Sequence, residues 1–262
     1  MSAATCIAPL FVPGDRPELF SKAAASGADL VILDLEDAVA LARKNIARKA
    51  VSERLPGGFA VRVNAEATGL MLDDAKAVEK SGVLAVVLPK AEDAGQITLL
   101  RSLISRSIEV IALIETAKGL DNVKQVALKA DRLAFGSIDY AADMGCDLHK
   151  DALLPARHAI VLASRLAGLP SPIDGVTADM RGGEGLRAEA AYSASLGFGG
   201  KLCIHPSQIE LVKEGFFPTE TEIAWAQKVA ASGDGVVNIG GEMIDAPVRD
   251  RANRILRLAG IK

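Results

Sequence analysis

Short apolar runs rich in Val, Ile and Leu recur along the chain, each followed by a segment with helical spacing. Eight occur in order: 6–13 (CIAPLFVP), 29–36 (DLVILDLE), 59–64 (FAVRVN), 84–90 (LAVVLPK), 109–115 (EVIALIE), 132–139 (RLAFGSID), 171–179 (SPIDGVTAD) and 198–205 (FGGKLCIH). Their length and branched apolar content predict buried strands. Segments 17–27 and 155–168 carry Pro near the start and Gly at the end, the asymmetry of a helix. Segments 73–82, 119–130 and 184–197 predict further helices.

Eight βα units in about 200 residues predict an α/β fold, a TIM-type (β/α)8 barrel. An open doubly wound sheet usually has fewer strands and a Gly-rich first turn, and neither GxGxxG nor GxxxxGK[ST] occurs here. Beyond the eighth run, 207–216 and 218–233 predict helices, 233–245 a turn-rich hairpin and 246–260 an amphipathic helix. The expected organisation is a barrel core over 1–215 and a C-terminal extension over 216–262, which packs across the barrel or reaches a neighbouring subunit.

Composition narrows the partners. A net charge of −3, no Lys/Arg cluster and only 4% aromatic residues argue against nucleic acid. No stretch approaches the roughly 20 apolar residues that span a bilayer, so no membrane partner is expected. The N-terminus lacks the basic start of a secretion signal, and three widely spaced cysteines, Cys6, Cys146 and Cys203, suggest reduced thiols. Both point to a cytoplasmic protein.

In such a barrel the chemistry sits at the carboxyl ends of the strands. There the runs offer Arg16, then Asp34 with Glu36 and Asp37, Arg62 with Asn64, Lys90, Glu115, Asp139, Asp179 and His205. Glu115 and Asp139 end adjacent runs. Two such carboxylates can share a Mg²⁺ ion, which takes oxygen ligands at about 2.0–2.1 Å and keeps water or substrate oxygens in its shell. The ion could chelate a 2-oxo or 2-hydroxy carboxylate and stabilise its developing charge. The competing reading has both acids capping helices or pairing with Lys90 and Arg62. Arg62 suits a bidentate grip on a carboxylate, an ion pair with Glu36 or Asp37, or both. Of Asp34, Glu36 and Asp37, at least one is expected to orient Arg16, Arg62 or Lys90. Arg62, Glu115, Arg16, Lys90, Glu36 and Asp37 form the candidate substrate-binding set. His205 is a candidate hydrogen-bonding group in the mouth, and scattered cations (Arg16, Lys22, Lys90) hint only weakly at phosphate.

The segments LFVPGDRPELFSKAAASGADLVILDLEDAV, VRVN, LPKAED, IETAKGL, LAFGSIDYAADMG and PIDGVTAD with LGFGGKLCIHPSQI resemble the citrate lyase β-subunit-like proteins of the HpcH/HpaI aldolase/citrate lyase superfamily. The resemblance runs from residue 8 to about 255. It implies a TIM barrel, usually trimeric, with Mg²⁺ at the strand ends and Claisen-type cleavage or formation of a carbon–carbon bond in acyl-CoA thioesters such as citryl-, malyl- or citramalyl-CoA. It implies Glu115 and Asp139 as metal ligands and Arg62 as the substrate-carboxylate arginine. Asp245, in the segment Met243-Ile244-Asp245, matches an acid that enters a neighbouring subunit's site as general acid/base. A pyruvate-type class II aldolase of the same superfamily is the nearest alternative, but its "EH" pair is replaced here by Glu36-Asp37. A non-catalytic binding homologue is the other.

Overall fold

The computed structural model describes residues 3–53, 55, 57–180, 183–233, 237–239 and 241–261. The eight apolar runs form parallel strands β1 (Pro9–Pro13), β2 (Leu30–Asp34), β3 (Phe59–Arg62), β4 (Ala85–Leu88), β5 (Glu109–Ile114), β6 (Arg132–Phe135), β7 (Ile173–Asp174) and β8 (Gly200–Lys201). They pair in chain order. The Lys201 N–H donates to Ile7 O, Cys203 N–H to Pro9 O and Phe11 N–H to Cys203 O, which brings the last strand round to the first. The expected (β/α)8 barrel is the fold. Each strand is shorter than its apolar run, because residues such as Ala8, Leu35, Val63 and Cys203 continue the buried pattern past the ladder into covered loops.

Twelve helices are described: α1 (Phe20–Ala24), α2 (Lys44–Ser52), α3 (Met71–Ser81), α4 (Ala94–Ser102), α5 (Ala117–Asp121), α6 (Val123–Ala127), α7 (Ser137–Met144), α8 (Lys150–Leu166), α9 (Glu184–Leu196), α10 (Ile209–Phe216), α11 (Glu220–Ala230) and α12 (Ala246–Leu258). Two differ instructively from the periodicity. The segment 119–130 is not one helix but α5 and α6, broken at Asn122, whose side chain donates to Glu92 O at 2.9 Å. Helix α8 starts at Lys150, not at Pro155. Its buried stripe of Leu153, Ala156, Ile160 and Ala163 begins before the proline, so packing carries the helix through it.

Strand parity decides which side chains reach the mouth. Leu30, Ile32, Ala60, Ala85, Val87, Ile111, Leu113 and Ala134 fill the barrel interior, while Val31, Leu33, Val61, Val86 and Val110 pack outward under the helices. Continuing the inward parity gives Asp34, Arg62, Glu115 and Gly136, which therefore project at the carboxyl rim. At the opposite end the buried Arg132 donates to Ala3 O at 2.6 Å, Cys6 O at 2.9 Å and Ser171 O at 2.8 Å, stoppering the barrel with the N-terminal segment.

The C-terminal residues form a core of their own. Ala226, Val229, Ile244, Ala252, Ile255 and Leu256 cluster apart from the barrel's two apolar clusters. They come from α11, α12 and an antiparallel pair, β9 (Val237–Ile239) with β10 (Glu242–Ile244). No helix among the described residues is long and apolar enough to cross a membrane. Cys6 and Cys203 are buried and Cys146 is half-buried, all as free thiols.

Strand β7 has only two residues, and a charge network holds it. Asp174 is fully buried, 3.0 Å from Arg157 Nε on α8 and 3.8 Å from Lys201 Nζ on β8, and it accepts from the Ser193 hydroxyl on α9. Burial works against the ionised carboxylate, but the Lys201 and Arg157 charges outweigh it and hold the group below the usual carboxylate range. That stabilisation is present above the ordinary carboxylate pKa and is lost as pH falls through the depressed one. Asp174→Ala strands two cations and should lower the unfolding free energy by about 3–5 kcal/mol, read from urea denaturation at pH 7.

Candidate active site

Arg62 and Asp34 occupy paired positions on adjacent strands and so point the same way from the same rung. Arg62 Nε and Nη2 donate to Asp34 Oδ1 and Oδ2 at 2.7 and 2.6 Å, a bidentate fork. The same two oxygens accept the Glu36 N–H at 2.8 Å and the Ala38 N–H at 2.9 Å, which is how a carboxylate 1% exposed stays paired. Burial opposes the guanidinium charge, yet the Asp34 bond and the surrounding acids raise its pKa. Phe11 lies beneath it, the guanidinium carbon 4.8 Å from the ring centroid.

Arg62 Nη1 lies 3.1 Å from Glu36 Oε2 and 3.7 Å from Asp37 Oδ2. Neither contact is a hydrogen bond; Glu36 Oε2 is buried without a donor among the described residues. Nη1 is thus held by ion pairs alone, and Arg62 lines the cleft in which a ligand carboxylate would meet it. Glu36 turns its other oxygen to Lys90 Nζ at 3.0 Å. Burial pushes the Glu36 carboxyl upward against the pull of Arg62 and Lys90.

Glu115 follows β5 and is 1% exposed. Its Oε1 accepts the Lys90 backbone N–H at 2.8 Å. Burial, then the charge of Glu36, then that of Asp139 push its carboxyl up to about 8, with the Lys90 N–H acting in the other direction. Asp139 does not end a strand as the apolar run suggested. The chain leaves β6 at Phe135, and Asp139 stands half-buried in the first turn of α7, where the helix N-terminus favours an anion. Gly136 makes that approach possible. A Cβ there would sit 2.4 Å from both Glu115 Cβ and Glu115 Oε2.

These groups open on a cleft of about 370 Å³ lined by Phe11, Asp34, Asp37, Arg62, Glu115 and Asp139, with Leu113, Phe135, Val176 and Leu202 as apolar wall. Among the described residues no three His, Cys, Asp or Glu side chains form a ready-made metal cage. Two carboxylates, one of them costly to ionise without a counter-charge, fit a hard cation that completes its shell with water or substrate oxygens.

Of the remaining candidates, only Asp37 lines the cleft. Arg16 is exposed and pairs with Glu18. Lys90 and Glu36 are not among the cleft's lining residues, whereas Asp37 lines it and is exposed. His205 is exposed, and its ring caps the turn at Pro206–Gln208. Asp245 caps α12, accepting the Val248 N–H at 3.2 Å, and does not line its own chain's cleft. Phe11 and Gly136 were not singled out in the sequence; an inward aromatic and a turn glycine carry no chemical signature until their neighbours are known.

A family model described as carbon–carbon bond lyase of the TIM-barrel fold matches residues 162–261. A second, HpcH/HpaI aldolase/citrate lyase, matches residues 8–206, and the chain belongs to that family. It is 37% identical to citrate lyase subunit beta of Leuconostoc mesenteroides subsp. cremoris, with 95% of this chain and 92% of that protein covered. Human mitochondrial citramalyl-CoA lyase is 34% identical over 95% of this chain and 84% of its own. The crystal structure of CitE from Mycobacterium tuberculosis with magnesium, acetoacetate and coenzyme A is similar at TM-score 0.90 and 37% identity, covering 98% of this chain and 99% of that one.

Two substitutions should move stability in opposite directions. In the metal-free protein a Glu115 pKa raised to about 8 means that ionisation at pH 7 works against folding, and stability falls as pH rises from the ordinary carboxylate pKa toward 8. Glu115→Gln should therefore stabilise the metal-free protein, on the order of 3 kcal/mol at pH 7, while weakening Mg²⁺ binding. Gly136→Ala should cost about 1–3 kcal/mol through the forced contact and also weaken Mg²⁺ binding. Thermal denaturation and calorimetric titration with Mg²⁺ check both.

Proposed function

We propose that the chain cleaves or forms a carbon–carbon bond in a short hydroxyacyl-CoA thioester such as citryl-, malyl- or citramalyl-CoA, with acetyl-CoA and a 2-oxo acid as the other pair. The carrying observation is that Arg62, its plane fixed by the fork to Asp34, shares one small cleft with Glu115 and Asp139. The names of the relatives and the magnesium, acetoacetate and coenzyme A bound to CitE from Mycobacterium tuberculosis support it.

A Mg²⁺ ion held by Glu115 and Asp139 would supply a Lewis acid for the oxygens of the 2-oxo acid. Arg62 grips the carboxylate of that half, with its plane fixed by Asp34 and its underside covered by Phe11. The apolar wall of Leu113, Phe135, Val176 and Leu202 keeps water from the reacting carbon. In cleavage the substrate hydroxyl loses its proton to solvent as its oxygen becomes the carbonyl of the 2-oxo acid, the carbon–carbon bonding pair goes to the thioester α-carbon as an enolate, and a protonated Asp245 of a neighbouring copy donates the proton that converts it to the acetyl methyl. In the reverse direction Asp245 removes that proton.

The pyruvate-type aldolase reading is the weaker one. No histidine lines the cleft among the described residues, and Glu36, at the place of the aldolase "EH" pair, is engaged by Arg62 and Lys90. Assay of citryl-, malyl-, citramalyl- and hydroxymethylglutaryl-CoA with Mg²⁺, beside free hydroxy-oxo acids, should show cleavage of at least one thioester. Turnover confined to the free acids would favour the aldolase, and none at all would favour a binding protein. Asp245→Asn keeps a good helix cap and should abolish turnover while leaving oxo-acid binding intact. Mixed with Glu115→Gln chains, it should recover activity in about a quarter of sites if Asp245 acts across subunits; a mixture as inactive as its parents would overturn that part.

A further inference from the structure

Lys90 is the one non-glycine residue with a left-handed backbone among the described residues, at φ 45°. L-residues with long side chains avoid that region. The corner that imposes it is clamped on both sides. The Ala91 N–H donates to Leu113 O at 3.1 Å, tying the corner to β5. Gly119, at the start of α5, lies so close that a Cβ there would come within 2.9 Å of Ala91 O. Held this way, the Lys90 N–H points at Glu115 Oε1, 2.8 Å away. The side chain leaves in another direction, and its ammonium meets Glu36 Oε1 at 3.0 Å. Glu36 in turn stands beside Arg62 Nη1. Neither Lys90 nor Glu36 is among the residues lining the cleft.

We propose that Lys90 is a positioning residue with two separable tasks: its strained backbone fixes Glu115 through the N–H, and its ammonium fixes Arg62 through Glu36, so that one residue sets the spacing between the metal-binding and carboxylate-binding sides of the cleft. This rests on the function proposed above and assigns Lys90 no contact with substrate. Each task has its own structural requirement. The N–H needs only a residue that tolerates positive φ. The ammonium needs only a cation of similar reach.

Calorimetry with Mg²⁺ alone, then with pyruvate at saturating Mg²⁺, separates the tasks. Lys90→Met should weaken pyruvate binding about tenfold and leave Mg²⁺ affinity within about twofold, and Lys90→Arg should restore pyruvate binding. Glu36→Gln should reproduce the pyruvate loss, because the path runs through Glu36. Lys90→Val, β-branched and ill suited to positive φ, should lose about tenfold or more in Mg²⁺ affinity, whereas Lys90→Gly should bind Mg²⁺ as the wild type does. Lys90→Gly should also melt no lower than Lys90→Met, a reading of the strain that survives if the valine variant does not fold. Unchanged pyruvate binding in Lys90→Met, or full binding in Glu36→Gln beside loss in Lys90→Met, would overturn the ammonium task. Wild-type Mg²⁺ affinity in Lys90→Val, or a Lys90→Gly melting point below that of Lys90→Met, would overturn the backbone task. Failure of the wild type to bind Mg²⁺ or pyruvate would overturn the proposed function as well, which keeps the two failures apart.

Discussion

A carboxylate buried to 1% exposure beside two other acids is the constraint around which the rim is built. Glu115 cannot lie there ionised at low cost without compensation. The fold supplies part of it through one backbone N–H. It also lets the next βα turn close in, because Gly136 adds no side chain between Glu115 and the helix that carries Asp139. What remains uncompensated is a local excess of negative charge facing a small cleft. A hard cation would answer that excess, and magnesium is bound in solved structures of the similar proteins from Mycobacterium tuberculosis.

Across the cleft the arrangement is reversed. Arg62 is a cation with more acids nearby than it hydrogen-bonds. Asp34 takes the fork, Glu36 and Asp37 remain at ion-pair distance, and Phe11 covers the guanidinium face. Fixing two of the donors so firmly restricts the plane of the group, so Nη1 keeps one direction. On the function proposed above, a ligand carboxylate would meet a pre-oriented partner and lose little ordering entropy on binding. The two sides are joined through Glu36 and Lys90, which makes the rim one connected network.

Much of this was legible in the chain. The barrel followed from eight apolar runs alternating with helical segments, and the inward parity of Ile32, Ala60 and Leu113 carries through to Asp34, Arg62 and Glu115. Boundaries are less legible, because apolar residues continue past the ladder: the sixth run carries through to Asp139, which stands on a helix, and Pro155 reads as a helix start although the buried stripe begins at Leu153. Arg16 lies close in sequence to the rim, but the short turn at Pro17 sends it outward. The left-handed turn at Lys90 had no residue signature, since Gly or Asn is the usual occupant and Lys is not. Asp245 belongs to a different class of problem. A single chain shows it only as the cap of α12, and any role at a reacting carbon depends on an arrangement of copies.

Gly136 has a consequence for how this sequence can vary. Every other amino acid adds a Cβ, and that atom would collide with the side chain and carboxylate oxygen of Glu115. The position thus has no neutral neighbour in sequence space, although it bears no functional group. Glu115 could drift to another acceptor and leave a folded barrel behind, but Gly136 cannot change without disturbing its neighbour. A lineage that lost its chemistry would shed Glu115 first, with Gly136 persisting for a time as the imprint of the carboxylate it once made room for.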